Sequence, residues 1–234
     1  MQPNYSKKII CLASSRKPGG RCVAGKEVLV NGYGGWIRPI STRDGAEINL
    51  GERQYQNGRE PEILEIISIP MIGPHPRVHQ RENEMIDSRY YWSKEGVLSW
   101  EELVDLVDQP TTLWSNGFST YAGNNDRVPQ EETTTIQNSL WLIKPSRVTI
   151  CVAAPGADFG NFKRAVRAEF LYQGIQYNLK VTDLIAERAF LANENGEYPL
   201  EMESYLCVSL AEAHTDGYCY KLVATIMTQQ AIVR

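Results

Sequence analysis

The chain has 234 residues, with 24 Lys+Arg against 28 Asp+Glu and a formal net charge of −4. Hydrophobic residues make up 42% and charged residues 22%, ordinary values for a globular protein with a sizeable core. No apolar run approaches the ~18 residues of a membrane span, Met1–Tyr5 carries no apolar signal-like stretch, and the cysteines at 11, 22, 151, 207 and 219 form no C-x-x-C pair. A cytoplasmic protein with reduced thiols is expected, and extracellular, membrane, collagenous and disordered classes are excluded.

In chain order, Lys8–Ser14 is an apolar strand. Ser15–Arg21 follows as a loop holding Arg16, Lys17 and Arg21 with two glycines and a proline. Gly20-Arg-Cys-Val-Ala-Gly25-Lys26 fits the spacing of a phosphate-binding P-loop, but Glu27 stands where a hydroxyl would meet Mg²⁺. The segment reads instead as a glycine-punctuated basic loop whose backbone amides could face phosphate oxygens.

Trp36–Ile40 is a second strand, with Trp36 and Arg38 on one face and Ile37 on the other. Pro39 donates nothing to a ladder, so this strand ends or lies at an edge. An aromatic ring beside a guanidinium can stack bases and hold phosphates. The competing reading makes Trp36 core, with Arg38 covering it.

Glu62–Pro70 is a third strand. His75, His79 and Glu82 do not make a metal site, because Pro74 and Pro76 forbid the helix that would converge them. Ser99-x-x-Glu102 is a capping box with Leu98 and Leu103 as its staple, predicting a helix from Trp100 to Asp108. Residues 111–138 are polar and turn-rich, a long ordered loop or linker whose Asn125 and Arg127 could serve binding.

The last third alternates cleanly. Strands are predicted at 147–154, 166–172 and 175–181, with a Gln173-Gly174 hairpin turn. Asp183 caps a short helix, and strands at 205–210 and 218–226 complete a β-β-β-α-β-β order, that of an OB barrel. Ile10–Ser14 echoes Ile150–Ala154 at an offset of 140 residues, through either duplication or coincidence.

The net charge conceals a division. Residues 1–45 carry eight bases and two acids (+6), residues 46–140 seven and sixteen (−9), and residues 141–234 nine and ten (−1). A basic head in an acidic chain is a localised field suited to an anionic partner.

Ser15-Arg16-Lys17, Gly20–Gly25, Trp36-Ile37-Arg38-Pro39-Ile40-Ser41, His79-Gln80-x-Glu82-Asn83 and Gly123-x-Asn125-Asp126-Arg127-Val128 together resemble the dual OB-containing domain family of prokaryotes. The resemblance covers nearly the whole chain. It implies a mainly β fold of two OB-like β-barrels in tandem, joined by a helix and a long polar connector. On the same grounds it implies a nucleic-acid-binding role as an accessory factor in bacterial conflict or defence systems. The expected divisions are residues 1–95, a first barrel; 96–138, helix and connector; and 139–234, a second barrel.

The expected function is non-enzymatic binding of single-stranded DNA or RNA, with no cofactor, metal or membrane partner. Arg16, Lys17 and Arg21 would contact phosphates, Trp36 and Arg38 would stack or clamp, and Asn125 and Arg127 would contribute from the connector. Two other classes stay open. One is a nucleotide or small-ligand sensor regulating a partner enzyme, with a barrel mouth lined by Arg38, His79 and Arg127. The other is a protein–protein adaptor docking a basic partner through the acidic segment 46–140.

Overall fold

The computed structural model describes residues 5–17, 19–43 and 47–229. The chain separates into two compact units. The first comprises residues 1–106 and 137–139, the second residues 107–136 and 140–234.

In the first unit, β1 (Tyr5–Lys17), β2 (Gly20–Leu29), β3 (Gly32–Ile40), β4 (Glu65–Pro74), β5 (Asn83–Ile86) and β6 (Ser93–Val97) form one sheet in the order β1-β2-β3-β5-β4-β6, with β1 also paired to β4. Ile9, Cys11, Val23, Ile37, Ile67, Ile69 and Ile86 face a common core closed by Tyr55 and Trp92. Gly25 is required at its position: a Cβ there would stand 1.9 Å from the Ile10 carbonyl oxygen of the neighbouring strand. The segment from Gly20 to Lys26 is therefore not a loop. It is a strand whose backbone runs in antiparallel ladders with β1 and β3, so its amides face carbonyls and not phosphates.

The capping box at Ser99 is present, with the Ser99 amide donating to Glu102 Oε2 at 3.0 Å and the Glu102 amide to Ser99 Oγ at 3.3 Å. The helix it opens is a six-residue 3₁₀ turn, Glu101–Leu106, shorter and tighter than the predicted helix. Leu103 and Leu106 are both buried, and a three-residue spacing stacks two side chains on one face of a 3₁₀ helix.

In the second unit, β7 (Arg127–Pro129), β8 (Leu140–Ile143), β9 (Arg147–Ala153), β10 (Ala165–Tyr172), β11 (Ile175–Val181), β12 (Gly196–Pro199), β13 (Ser204–Ala213) and β14 (Tyr218–Thr228) form an eight-stranded sheet. Its order is β12-β9-β10-β11-β14-β13-β8, with β7 on β14. The β10–β11 turn has φ +50° at Gln173 and +76° at Gly174, the doubly positive turn that matches strand twist. Helix α1 (Leu184–Leu191) starts at Asp183, whose Oδ1 accepts from the Ile185 and Ala186 amides at 2.9 and 3.1 Å. Its other oxygen accepts from the Ile226 amide of β14 at 3.0 Å.

The two OB-like barrels joined by a helix and connector are not what the structure contains. The first sheet is an open ring of strands. β5 has only four residues and meets β3 and β4 through three residue pairs each, too few to seal the ring along its length. In the second sheet, β12 and β8 are separate edges with no ladder joining them among the described residues, so it does not close. The polar stretch 111–138 is not a plain connector either. It contributes β7 and a 3₁₀ turn, Gln130–Thr135, and buries Leu113 and Val128.

The units nevertheless share a pairing plan. The first strand pairs antiparallel with the second, the second with the third, and the third runs parallel to a later strand. The first strand also pairs antiparallel with a further one, β4 in one unit and β12 in the other. The echoing pentapeptides Ile10–Ser14 and Ile150–Ala154 begin within β1 and β9, the corresponding strands.

Because Asp183 caps α1 with one oxygen and ties β14 with the other, Asp183→Ala removes three hydrogen bonds. The expected loss is about 1–3 kcal/mol, read as a lower urea midpoint for the second unit with an unchanged slope.

Candidate nucleic-acid interface

The predicted basic loop is the end of the β1–β2 hairpin. Arg16 stands directly opposite Arg21, and Lys17 opposite Gly20, so the three bases do come together. Arg16 is exposed, Lys17 and Arg21 are half-buried. Arg21 Nη1 donates to Ser14 Oγ at 3.2 Å, and its Nε lies 3.6 Å from Glu60. Like charges facing each other across a ladder repel.

Trp36 and Arg38 share a face of β3, as alternation requires, but neither is presented to solvent. Trp36 is 8% exposed with the Lys26 ammonium 5.7 Å from a ring centroid. Arg38 is 4% exposed; its Nη2 lies 3.1 Å from Glu82 Oε1 and donates to Ser139 Oγ at 2.8 Å. The Ser139 hydroxyl in turn donates to Glu82 Oε1. The Arg38 amide donates to the Glu82 carbonyl at 2.8 Å, and Arg38 registers with Asn83 where β3 meets β5.

The His79–Asn83 motif therefore supplies the carboxylate that neutralises Arg38. His79 itself is buried within a tight turn closed by reciprocal Arg77–Gln80 backbone bonds of 3.1 and 2.6 Å. The bland reading of Trp36 and Arg38 describes their positions better than the stacking clamp does.

Asn125 and Arg127 belong to the second unit. Asn125 adopts φ +50°, accepts from the Gly117 amide at 2.7 Å and donates to the Gln176 carbonyl at 2.9 Å, so its amide organises the loop. Asp126 accepts from the Thr120 amide and hydroxyl, both at 2.7 Å, and pairs with Arg167 Nη2 at 2.7 Å. Gly123 makes room for this, since a Cβ there would lie 1.8 Å from Asp126 Oδ2. Arg127 lays its guanidinium 4.1 Å from the Tyr218 ring centroid.

Two features escape the sequence motifs. Lys221 is 1% exposed, donates to Asn116 Oδ1 at 3.0 Å and to the Ser115 carbonyl, and lies 5.2 Å from the Tyr177 ring centroid. Burial pulls its ammonium down to about 7, against the upward pull of the Asp126 and Glu132 carboxylates. Its inward register on β14, between Cys219 and Val223, is the sequence signal that could have found it. Tyr121, Phe159 and Phe162, in contrast, are strongly exposed; nothing in residue type alone distinguishes an outward Phe from a core one.

Among the described residues no group of three or more His, Cys, Asp or Glu is placed to hold a metal. None of their helices is long and apolar enough to cross a membrane. The five cysteines are free thiols.

A sheet-based chain with two units of like pairing plan defines a class of two-unit β protein. The family model of the dual OB-containing domain (DuOB) matches residues 7–226, and the chain belongs to that family. No curated protein and no solved structure matches it.

Removing one member of the buried Arg38–Glu82 pair leaves an uncompensated charge. Glu82→Ala should cost about 3–5 kcal/mol, whereas Glu52→Ala at the pair with the exposed Arg43 side chain (2.8 Å) should cost about 1–2 kcal/mol. Denaturant melts of the two variants make the comparison. For Lys221, the unfolded chain binds more protons than the folded one between pH 7 and about 10.4, so stability contributed at this site rises with pH over that window. The unfolding free energy of wild type minus that of Lys221→Met should climb from pH 7 to 10, by at most about 1.4 kcal/mol per pH unit, and stay flat below pH 6.

Proposed function

We propose that the protein binds single-stranded nucleic acid without catalysing a reaction, using the β1–β2 hairpin end as its phosphate-contacting element. The observation that carries this reading is the Arg16–Arg21 pair, two guanidinium-bearing residues in direct cross-strand register with Lys17 beside them. A phosphate oxygen reaching both guanidinium groups would accept a charge-assisted hydrogen bond from each. Membership of a dual OB-containing family supports the reading, since OB folds bind oligonucleotides. With a sequence pI of about 5.5, attraction has to come from a local patch and not from overall charge. Unpaired strands are the preferred form, because the α-helix, Leu184–Leu191, carries a single base, Arg188, and offers no groove-reading face. The family resemblance supports reading the protein as an accessory factor in prokaryotic defence, and its unpaired cysteine pattern supports a reducing, cytoplasmic setting.

The alternative readings lose support. Arg38, the cation assigned to a sensor's ligand, is already neutralised by Glu82. Part of the acidic segment is likewise engaged by bases from outside it: Glu52 by Arg43, Glu60 by Arg21, Glu82 by Arg38, Glu95 by Lys8, and Asp126 by Arg167. That leaves less negative charge for docking a basic partner.

The test is fluorescence anisotropy with single-stranded DNA, single-stranded RNA and duplex over a salt series. Wild type should prefer single strands, and affinity should fall steeply with salt. Arg16→Ala/Lys17→Ala should weaken binding about tenfold or more at low salt and flatten the log–log salt slope by about 0.7 for each phosphate no longer neutralised. Unchanged curves for this variant would remove the hairpin from the interface.

A further inference from the structure

The three most exposed aromatic rings among the described residues are Phe159 (82%), Tyr121 (76%) and Phe162 (75%). All three belong to the second unit, and Tyr121 and Phe159 lie edge to face, with ring centroids 6.1 Å apart and planes at 79°. Leaving such rings in water forgoes roughly 1.5–3 kcal/mol of burial for each.

The rings are held out by ordered backbone. In the β9–β10 loop the amides of Phe159 and Asn161 both donate to the Gly156 carbonyl, at 3.0 and 2.9 Å, and the Gly160 amide donates to Ala157 at 3.0 Å. Gly160 takes φ +76°, which turns the chain between Phe159 and Phe162. Tyr121 is placed by the flanking Thr120–Asp126 bonds and by the reciprocal Asn124–Asn178 backbone pair at 3.2 and 3.0 Å.

The loop that carries Phe159 and Phe162 has a net positive charge. The loop 154–164 contains Lys163 and Arg164 against Asp158, and the Tyr121 loop, residues 117–125, has no charged side chain. Lys163 is exposed. Arg164 donates to Asn195 Oδ1 at 2.7 Å and to the carbonyls of Leu191 and Asn193 at 3.0 and 2.5 Å, all neutral acceptors. Rings open to stacking next to cations match unpaired nucleobases on a phosphate backbone. A duplex keeps its base faces stacked internally, and a purely apolar protein surface would gain nothing from the two cations.

We propose that Tyr121, Phe159 and Phe162 form a stacking platform for the bases of single-stranded nucleic acid, with Lys163 and Arg164 receiving the adjoining phosphates. This rests on the nucleic-acid reading above and adds to it a base-dependent contact on the second unit, separate from the phosphate contacts assigned to the hairpin.

The experiment uses the full chain with fluorescein-labelled 20-mers of three kinds: single-stranded DNA, single-stranded RNA and an abasic sugar-phosphate strand of equal length. Wild type should bind the base-bearing strands at least tenfold more tightly than the abasic one, and the DNA and RNA arms identify which sugar is preferred. Phe159→Ala/Phe162→Ala, at exposed positions where the melting temperature should not move, should lose about tenfold or more on the base-bearing strands. Its affinity for the abasic strand and its salt slope should match wild type, whereas Lys163→Ala should reduce the slope.

Equal affinity of the double variant and wild type for base-bearing strands would overturn the platform and leave the hairpin reading standing. Failure of wild type to bind any strand at low salt would overturn both. Concentration-dependent self-association of wild type that the double variant abolishes, with no change in strand binding, would assign the rings to a second copy of the chain and overturn the platform.

Discussion

The buried contact of Arg38 with Glu82 and Ser139 is the constraint on which the first unit turns. An isolated guanidinium or carboxylate inside a protein is costly by several kcal/mol, and the two are tolerated because each neutralises the other and shares a hydroxyl. The geometry serves three separate stretches of chain at once. It fixes β3 against the strand that follows Glu82, it supports the short parallel ladder by which β5 meets β3, and it holds residue 139 within a unit whose remaining residues end at 106. Hydrophobic burial of Ile9, Ile37, Ile67 and their neighbours supplies the bulk of the driving force, but burial is non-directional. The ion pair supplies the direction.

The same contact changes the meaning of the charge division. In sequence, +6 lies on residues 1–45 and −9 on residues 46–140. In space, the two segments largely neutralise each other: Lys8 meets Glu95, Arg21 approaches Glu60, Arg38 pairs with Glu82, and Arg43 pairs with Glu52. A block of like charge along a chain is a field only if folding leaves it unpaired. Folding here pairs much of the basic head and sets Arg16 opposite Arg21 at the end of one hairpin.

Local patterns are legible in the sequence, and non-local partners are not. The alternation around Tyr177, the Gln173-Gly174 turn, the Asp183 cap and the Ser99 capping box each depend on neighbours within a few residues, and each is present. Alternation also places Trp36 and Arg38 on one face, but not what covers that face, because Ser139 lies 101 residues from Arg38 and a lone serine carries no signal. Sheet closure is illegible for a similar reason. A strand order is local information, while sealing a barrel depends on ladder lengths such as the three pairs between β3 and β5. The exposed Phe159 and Phe162 escape notice because an apolar residue type argues for burial; only the glycines at 156 and 160 mark their segment as a turn.

Residues 137–139 return to the first unit between two portions of the second, and this has a consequence for how such a protein can be inherited. A gene breakpoint after residue 106 separates Ser139 from Arg38 and Glu82. One after residue 139 separates β7 from β14, its pairing partner. No single crossover yields both units whole, so recombination cannot shuffle either half as a free-standing cassette. Two units interleaved along the chain in this way are expected to be inherited together, and the family model accordingly covers both, over residues 7–226.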